Sequence, residues 1–157
     1  MKILMVCLGN ICRSPLAEGI LRDKVRKCEL DIVVDSAGTN RYHIGEAPDP
    51  RSIACAEAHG IDISDLRARQ FKKADFERFD RIYVMDRSNM SDILALAKNQ
   101  EERDKVEMIL NVNRPNSDMD VPDPYYGGDE GFEHVYKLLD SACEHLLQEW
   151  EKESHKA

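Results

Sequence analysis

The chain reads as an α/β domain: a four-stranded parallel sheet with helices on both faces. Three observations predict it. Short apolar runs alternate with amphipathic stretches, each strand-like run is followed by a helix-like one rather than by a tight hairpin turn, and the last part of the chain is one long helical face. Strands separated by helices pair in parallel and need helices on both sides of the sheet.

The elements follow in order. Residues 3–6 form a buried strand that ends at Gly9-Asn10, and Ser14 with Pro15 supplies an N-cap and a first helical position. That helix should carry Leu21, Val25 and Cys28 inward. Residues 32–34 are a second strand. Asp49-Pro50 starts a helix that stops at Gly60, with Ala54, Cys55 and Ala58 on its inner side. Residues 81–85 make a third strand, Ser88 caps a helix with Ile93, Leu94 and Ala97 inside, and residues 106–110 give a fourth strand. In the final helix Phe132, Val135, Leu139, Ala142, Leu146 and Trp150 recur at spacings of three and four, one face against a sheet. Ligands of such sheets sit beyond the carboxyl ends of the strands, where Cys7 and Asp86 fall.

Composition narrows the setting. At 157 residues the chain suits one domain over 1–157, long enough to bury roughly two thirds of its unfolded surface. The apolar amino terminus is too short for a secretory core, and no segment has the apolar length of a membrane span, so a cytoplasmic protein without membrane association is expected. Five cysteines without paired spacing suit reduced thiols. A formal charge of −8 argues against nucleic acid as a partner and requires any anionic substrate to meet a local positive site.

VCLGNICRSPLAE is that site. A cysteine six positions before an arginine is weak evidence alone. Between a strand and a helix N-terminus it becomes specific, because the backbone N–H groups of Leu8, Gly9, Asn10, Ile11, Cys12 and Arg13 can turn inward as an anion nest, reinforced by the helix dipole. Gly9 and Asn10 tolerate the left-handed conformations such a wrap demands. Arg13 closes the ring with a planar fork for two phosphate oxygens. Cys7 sits at its base, where the same positive concavity favours a thiolate and places phosphorus beside sulfur. Ser14 can donate to that sulfur. The contrary reading makes Cys7 a small buried hydrophobe and Arg13 a surface charge. A departing alkoxide or phenoxide needs a proton, and DVPDPYYGG offers Asp123 between two prolines, with Asp120 as its competitor.

The two segments together resemble the low-molecular-weight protein tyrosine phosphatases. The resemblance rests on VCLGNICRSPLAE, DSAGT, RARQF, VMDRSN and DPYYGG, in family order across nearly the whole chain. It implies Cys7 as nucleophile, Arg13 as phosphate and transition-state binder, and Asp123 as the acid that protonates the leaving group and later activates water. Asn10, Ser14 and Ser36 resemble the set that holds the loop and thiolate. Tyr42, Tyr125 and Tyr126 resemble an aromatic entrance deep enough to favour aryl phosphates over phosphoserine. The resemblance implies no metal or other cofactor, phosphotyrosine-containing protein substrates, and a monomer or weak homo-oligomer. Cys12 resembles a second loop cysteine that forms a reversible disulfide with Cys7 under oxidants, the alternative being simple packing. One departure stands out: Leu66 occupies the place where many members have a histidine supporting Asn10 and Ser36, with Asp65 the expected substitute.

Two other readings share these features. An arsenate reductase on the same fold would need further redox cysteines after the third strand, and between Cys55 and Cys143 there are none. A non-catalytic phosphopeptide-binding module is disfavoured by the joint presence of Cys7 and Asp123. Cys55 with His59 has packing or capping as the expected role, and His134 and His145 are too far apart along a helix to share an ion. Residues 101–105 read as a solvated charged segment.

Overall fold

The computed structural model describes residues 1–126 and 128–156. In chain order they form β1 (Lys2–Cys7), α1 (Arg13–Lys27), β2 (Val33–Gly38), α2 (Pro50–Ala58), α3 (Asp75–Arg78), β3 (Arg81–Val84), α4 (Arg87–Leu94), α5 (Gln100–Asp104), β4 (Val106–Met108) and α6 (Asp129–Lys156). The strands lie in the order β2-β1-β3-β4 and every pairing is parallel. The predicted four-stranded parallel sheet is therefore the one observed.

Alternation along β1 sorts the core into two layers. Ile3, Met5 and Cys7 face a layer built with Leu16, Ile20 and Leu21 of α1 and the apolar stripe of α6. Leu4 and Val6 face the opposite layer with Phe76 of α3, Phe79 and Ile93 of α4. Because β1 is buried on both faces it reads as a continuous apolar run rather than an alternating one. The stripe on α6 is as its spacing predicts: Phe132, Val135, Leu139, Ala142, Leu146 and Trp150 are all buried. Each large side chain so buried contributes about 1.5–3 kcal/mol relative to exposure.

Several local expectations are corrected. Ser14 does not cap α1; the helix begins at Arg13, Cys12 stands at the N-cap without a side-chain bond, and the Ser14 hydroxyl turns instead to the Cys7 thiol. Cys28 is exposed, because it terminates α1 rather than continuing its inner stripe. On α2 the inward residues are Ser52 and Ala56, whereas Ala54 and Ala58 are exposed and Cys55 half-buried. Asp86 caps α4 instead of Ser88, its Oδ1 accepting from the Asn89 N–H at 2.7 Å. The second strand runs on to Gly38, and the fourth yields after three residues to a 3-10 turn, Ile109–Asn111, which keeps Ile109 and Leu110 buried.

The chain passes from β1 to one side for β2 and then to the other for β3, so the strand order reverses beside β1. That reversal opens a crevice at the carboxyl edge of the sheet. Cys7 ends β1 and Asp86 follows β3, placing both at it.

Candidate active site

The segment between β1 and α1 turns sharply at Asn10, whose φ of 58° lies in the left-handed region that asparagine tolerates. This conformation brings the Asn10 side chain inward, where it is 2% exposed. Its Nδ2 donates to Ser14 Oγ at 2.7 Å and to Ser36 Oγ at 2.9 Å, while its Oδ1 accepts the Arg69 backbone N–H at 3.0 Å. Ser14 Oγ also lies 3.0 Å from Cys7 Sγ. Since that oxygen already accepts from Asn10, the serine proton is available to the sulfur.

The loop is closed from outside by two neighbours. Gly38, paired with Cys7 in the sheet, lets β2 approach so closely that a Cβ there would lie 2.9 Å from Leu8 O. At the start of α2, the Asp49 N–H donates to Ile11 O at 2.8 Å and Ser52 Oγ donates to Cys12 O at 3.0 Å.

Arg13 is almost wholly buried at the base of this loop. Its Nη1 donates to Asp86 Oδ2 at 2.7 Å and to the Val121 carbonyl at 2.9 Å, and its Nη2 lies 3.7 Å from Asp123 Oδ2. Burial by itself would lower its pKa, but the charges of Cys7, Asp86 and Asp123 outweigh that and raise it above the ordinary guanidinium value. It is a fixed cation. Asp86 thus works with both oxygens, one capping α4 and one orienting Arg13.

A cavity of about 290 Å³ opens above these groups. Cys7, Leu8, Gly9, Ile11, Cys12 and Arg13 form its floor and inner wall; among loop residues only Asn10 is turned away from it. Asp123, Tyr42 and Tyr125, with Asn40 and His43, form the rest of the wall. Tyr42 is 81% exposed and Tyr125 40%, so their rings stand at the mouth. The side chain of Tyr126, the third expected aromatic, lies outside the described residues. Asp123 is aimed by its own turn, with Oδ1 accepting the Tyr125 N–H at 3.0 Å and Oδ2 left toward Arg13. Asp120 is elsewhere: its carboxylate accepts the Arg87 N–H at 2.9 Å at the start of α4. The geometry therefore separates the two competing carboxylates.

Cys12 is buried beside the floor, and burial, with the Asp49 charge, pushes its thiol up to about 12. It stays protonated at neutral pH. Cys55 and His59 both reach Glu133, the imidazole at 2.9 Å, and His59 stacks on Tyr136 with ring centroids 3.7 Å apart. Among the described residues no group of three or more His, Cys, Asp or Glu side chains is arranged to hold a metal ion.

Three contributors escaped the sequence reading. Arg51 donates to the Tyr125 carbonyl at 2.8 Å and lies over both the Tyr125 and Phe132 rings, tying α2 to the acid-bearing turn. His43 packs over Gly9 and pairs with Glu46 at the mouth. The third corrects an expectation: Asp65 does not support Ser36, its carboxylate being exposed and 4.0 Å from Arg22. Glu18 does, accepting from Ser36 Oγ at 2.6 Å. Its only sequence signal was position: Glu18 lies on the α1 face that also carries Leu21 and Val25, where a carboxylate is unexpected.

Comparison with known proteins shows the family. The family model described as low molecular weight phosphotyrosine protein phosphatase matches residues 2–156. A Synechocystis sp. protein provisionally designated a low molecular weight protein-tyrosine-phosphatase is 47% identical over 155 residues, covering 98% of each chain. The human low molecular weight phosphotyrosine protein phosphatase is 42% identical over 150 residues, covering 94% of each. Among solved structures, the protein tyrosine phosphatase of Entamoeba histolytica superposes with a TM-score of 0.90 at 36% identity, over 98% of this chain and 99% of that one. A strand-end cysteine, an arginine held in its own loop and a facing aspartate thus occur here within a sequence and fold matched end to end, and the chain belongs to the low molecular weight phosphotyrosine protein phosphatase family.

Proposed function

We propose that this single domain hydrolyses phosphotyrosine in proteins, and small aryl phosphates, through a phosphocysteine on Cys7. The observation that carries the reading is the meeting of Cys7, Arg13 and Asp123 on one cavity wall. The phosphoryl group enters the loop, where Arg13 and the backbone N–H groups of residues 8–13 neutralise its oxygens. Cys7 sulfur attacks phosphorus, the bond from phosphorus to the tyrosine oxygen breaks, and protonated Asp123 gives that oxygen its proton. Water then attacks the phosphocysteine, Asp123 takes a proton from it, and the thiolate departs with the Ser14 hydroxyl donating to it. Tyr42 and Tyr125 offer aromatic surface to the leaving aryl ring at a depth an alkyl phosphate reaches poorly.

The direct test is hydrolysis of para-nitrophenyl phosphate with a chelator present. Turnover supports the reading; no turnover, with arsenate reduced in the presence of thioredoxin, would overturn it. Binding of a phosphotyrosine peptide without release of phosphate would indicate a recognition module instead.

Two further outcomes follow. Gly38→Ala sets a methyl group against loop backbone that cannot yield, so it should destabilise the fold by about 1–3 kcal/mol. Because a misplacement of about 1 Å can cost about 10²-fold in rate, kcat/KM should also fall by at least about tenfold. Thermal denaturation and para-nitrophenyl phosphate kinetics check both, and a variant unchanged in each would show that the loop does not depend on this close approach.

The second concerns oxidation. Peroxide converts the Cys7 thiolate to a sulfenic acid, which the Cys12 thiol condenses with, releasing water and leaving a disulfide that dithiothreitol reduces. Wild-type activity lost to mild peroxide should therefore return with dithiothreitol, whereas Cys12→Ser should progress to irreversible sulfinic acid. Equal recovery of the two proteins would remove the protective role.

A further inference from the structure

Glu18 is a buried carboxyl group with no part in the chemistry above, yet it is wired to the nucleophile. Ser36 Oγ donates to Glu18 Oε1 at 2.6 Å and accepts from Asn10 Nδ2; the same nitrogen donates to Ser14 Oγ, which lies 3.0 Å from Cys7 Sγ. The Arg69 N–H on Asn10 Oδ1 fixes which way the amide faces. One amide group thus serves two acids, each through a serine hydroxyl.

We propose that Glu18 is a positioning residue that tunes the Cys7 thiolate through the Ser36–Asn10–Ser14 chain, so that thiolate reactivity changes when Glu18 gains or loses its proton. This rests on Cys7 being the nucleophile. An ionised Glu18 polarises Ser36 and draws the Asn10 amide toward it, which weakens what Asn10 and Ser14 deliver to the sulfur. The added negative charge acts in the same direction. A thiolate less stabilised is more nucleophilic, by about threefold for each tenfold gain in basicity.

The environment puts this switch in a useful range. Burial, opposed by the Ser36 hydrogen bond, pushes the Glu18 carboxyl from 4.5 up to about 7. The charged groups facing it are Arg22, one turn along α1 with Nη1 at 3.8 Å, Asp35 of β2 and Asp65 beyond α2. Arg22 favours the ionised form and the two aspartates oppose it. Since the folded value is raised, stability from this group is full below the ordinary glutamate range and is lost as pH climbs through about 7.

The test is alkylation of Cys7 by iodoacetamide between pH 5 and 9, read by mass spectrometry of the Cys7 peptide. It needs no phosphate turnover, so failure of the hydrolase reading would appear separately as absent phosphate release. For wild type the rate should include a severalfold rise centred near pH 7. In Glu18→Gln that rise should vanish, together with the loss of thermal stability across the same range. Ser36→Ala keeps the carboxyl group but cuts the chain, and should shrink the rise; it carries the test independently if Glu18→Gln folds poorly. Identical profiles for wild type and Glu18→Gln would overturn the proposal. A rise that survives in full in Ser36→Ala would also overturn it, by showing coupling through space rather than through the serines.

Discussion

Cys7→Ser should hydrolyse aryl phosphates at less than about 10⁻³ of the wild-type rate while still binding phosphate or vanadate. The hydroxyl that replaces the thiol is a poor nucleophile without a base, and among the described residues the hydrogen-bond partner of Cys7 is Ser14, which is not one. In the proposed mechanism oxyanion affinity comes from Arg13, held by Asp86 and Val121, and from the loop backbone, which the substitution leaves in place. Calorimetric titration with phosphate therefore separates a lost nucleophile from a collapsed loop. A Cys7→Ser protein retaining a tenth of wild-type turnover would sink the assignment, because the same cavity would then be catalysing without its sulfur.

The second large effect is expected at Asp123. An aryl oxide of high basicity leaves slowly without a proton, so Asp123→Asn should reduce kcat/KM for phosphotyrosine by about 10²- to 10⁴-fold, the range of general acid catalysis. Nitrophenoxide, already stable as an anion, should lose less. A damaged phosphate loop would slow both substrates alike, so the ratio of the two losses identifies proton transfer. The comparison uses kcat/KM because Asp123 would also activate water in the second step. Asp120→Asn should leave the parameter nearly unaltered, its carboxylate being committed to the start of α4. If Asp120→Asn instead showed the leaving-group-dependent loss, the acid would have been placed on the wrong carboxylate.

What the sequence made legible was whatever depends on local chemistry. The buried strand, the left-handed turn (expected at Gly9 and Asn10, taken up by Asn10 and not by Gly9) and the strand-loop-helix order follow from residue types at fixed spacing, and they bring Cys7 and Arg13 together without reference to the rest of the chain. Two prolines mark a fixed backbone around Asp123, but on the residues alone Asp120 stays its competitor, and the family resemblance is what singles Asp123 out. Capping is less legible: serine stands where a cap is expected at two helix starts, but tertiary contacts recruit Ser14 to the Cys7 thiol and Asp86 caps α4 in place of Ser88. Contacts between distant segments were the hardest. Glu18 meets Ser36 only because α1 packs across β2, and Arg51 reaches Tyr125 only once α2 and the acid-bearing turn are assembled. Neither pairing leaves a spacing in the sequence, so the expectation that Asp65 would support Ser36 rested on neighbourhood along the chain and missed the partner across the fold.

Hydrolysis by this route requires a covalent bond between phosphorus and the sulfur of Cys7, and that bond can be observed. Wild-type protein mixed with excess para-nitrophenyl phosphate, quenched by rapid denaturation and digested, should yield the Cys7 peptide heavier by one phosphoryl group, with the modification on sulfur. The adduct should be absent before substrate is added and accumulate further in Asp123→Asn with this good leaving group, where hydrolysis of the intermediate is slowed. A phosphoryl group found on another residue, or turnover proceeding with the Cys7 peptide unmodified in both proteins, would contradict the mechanism.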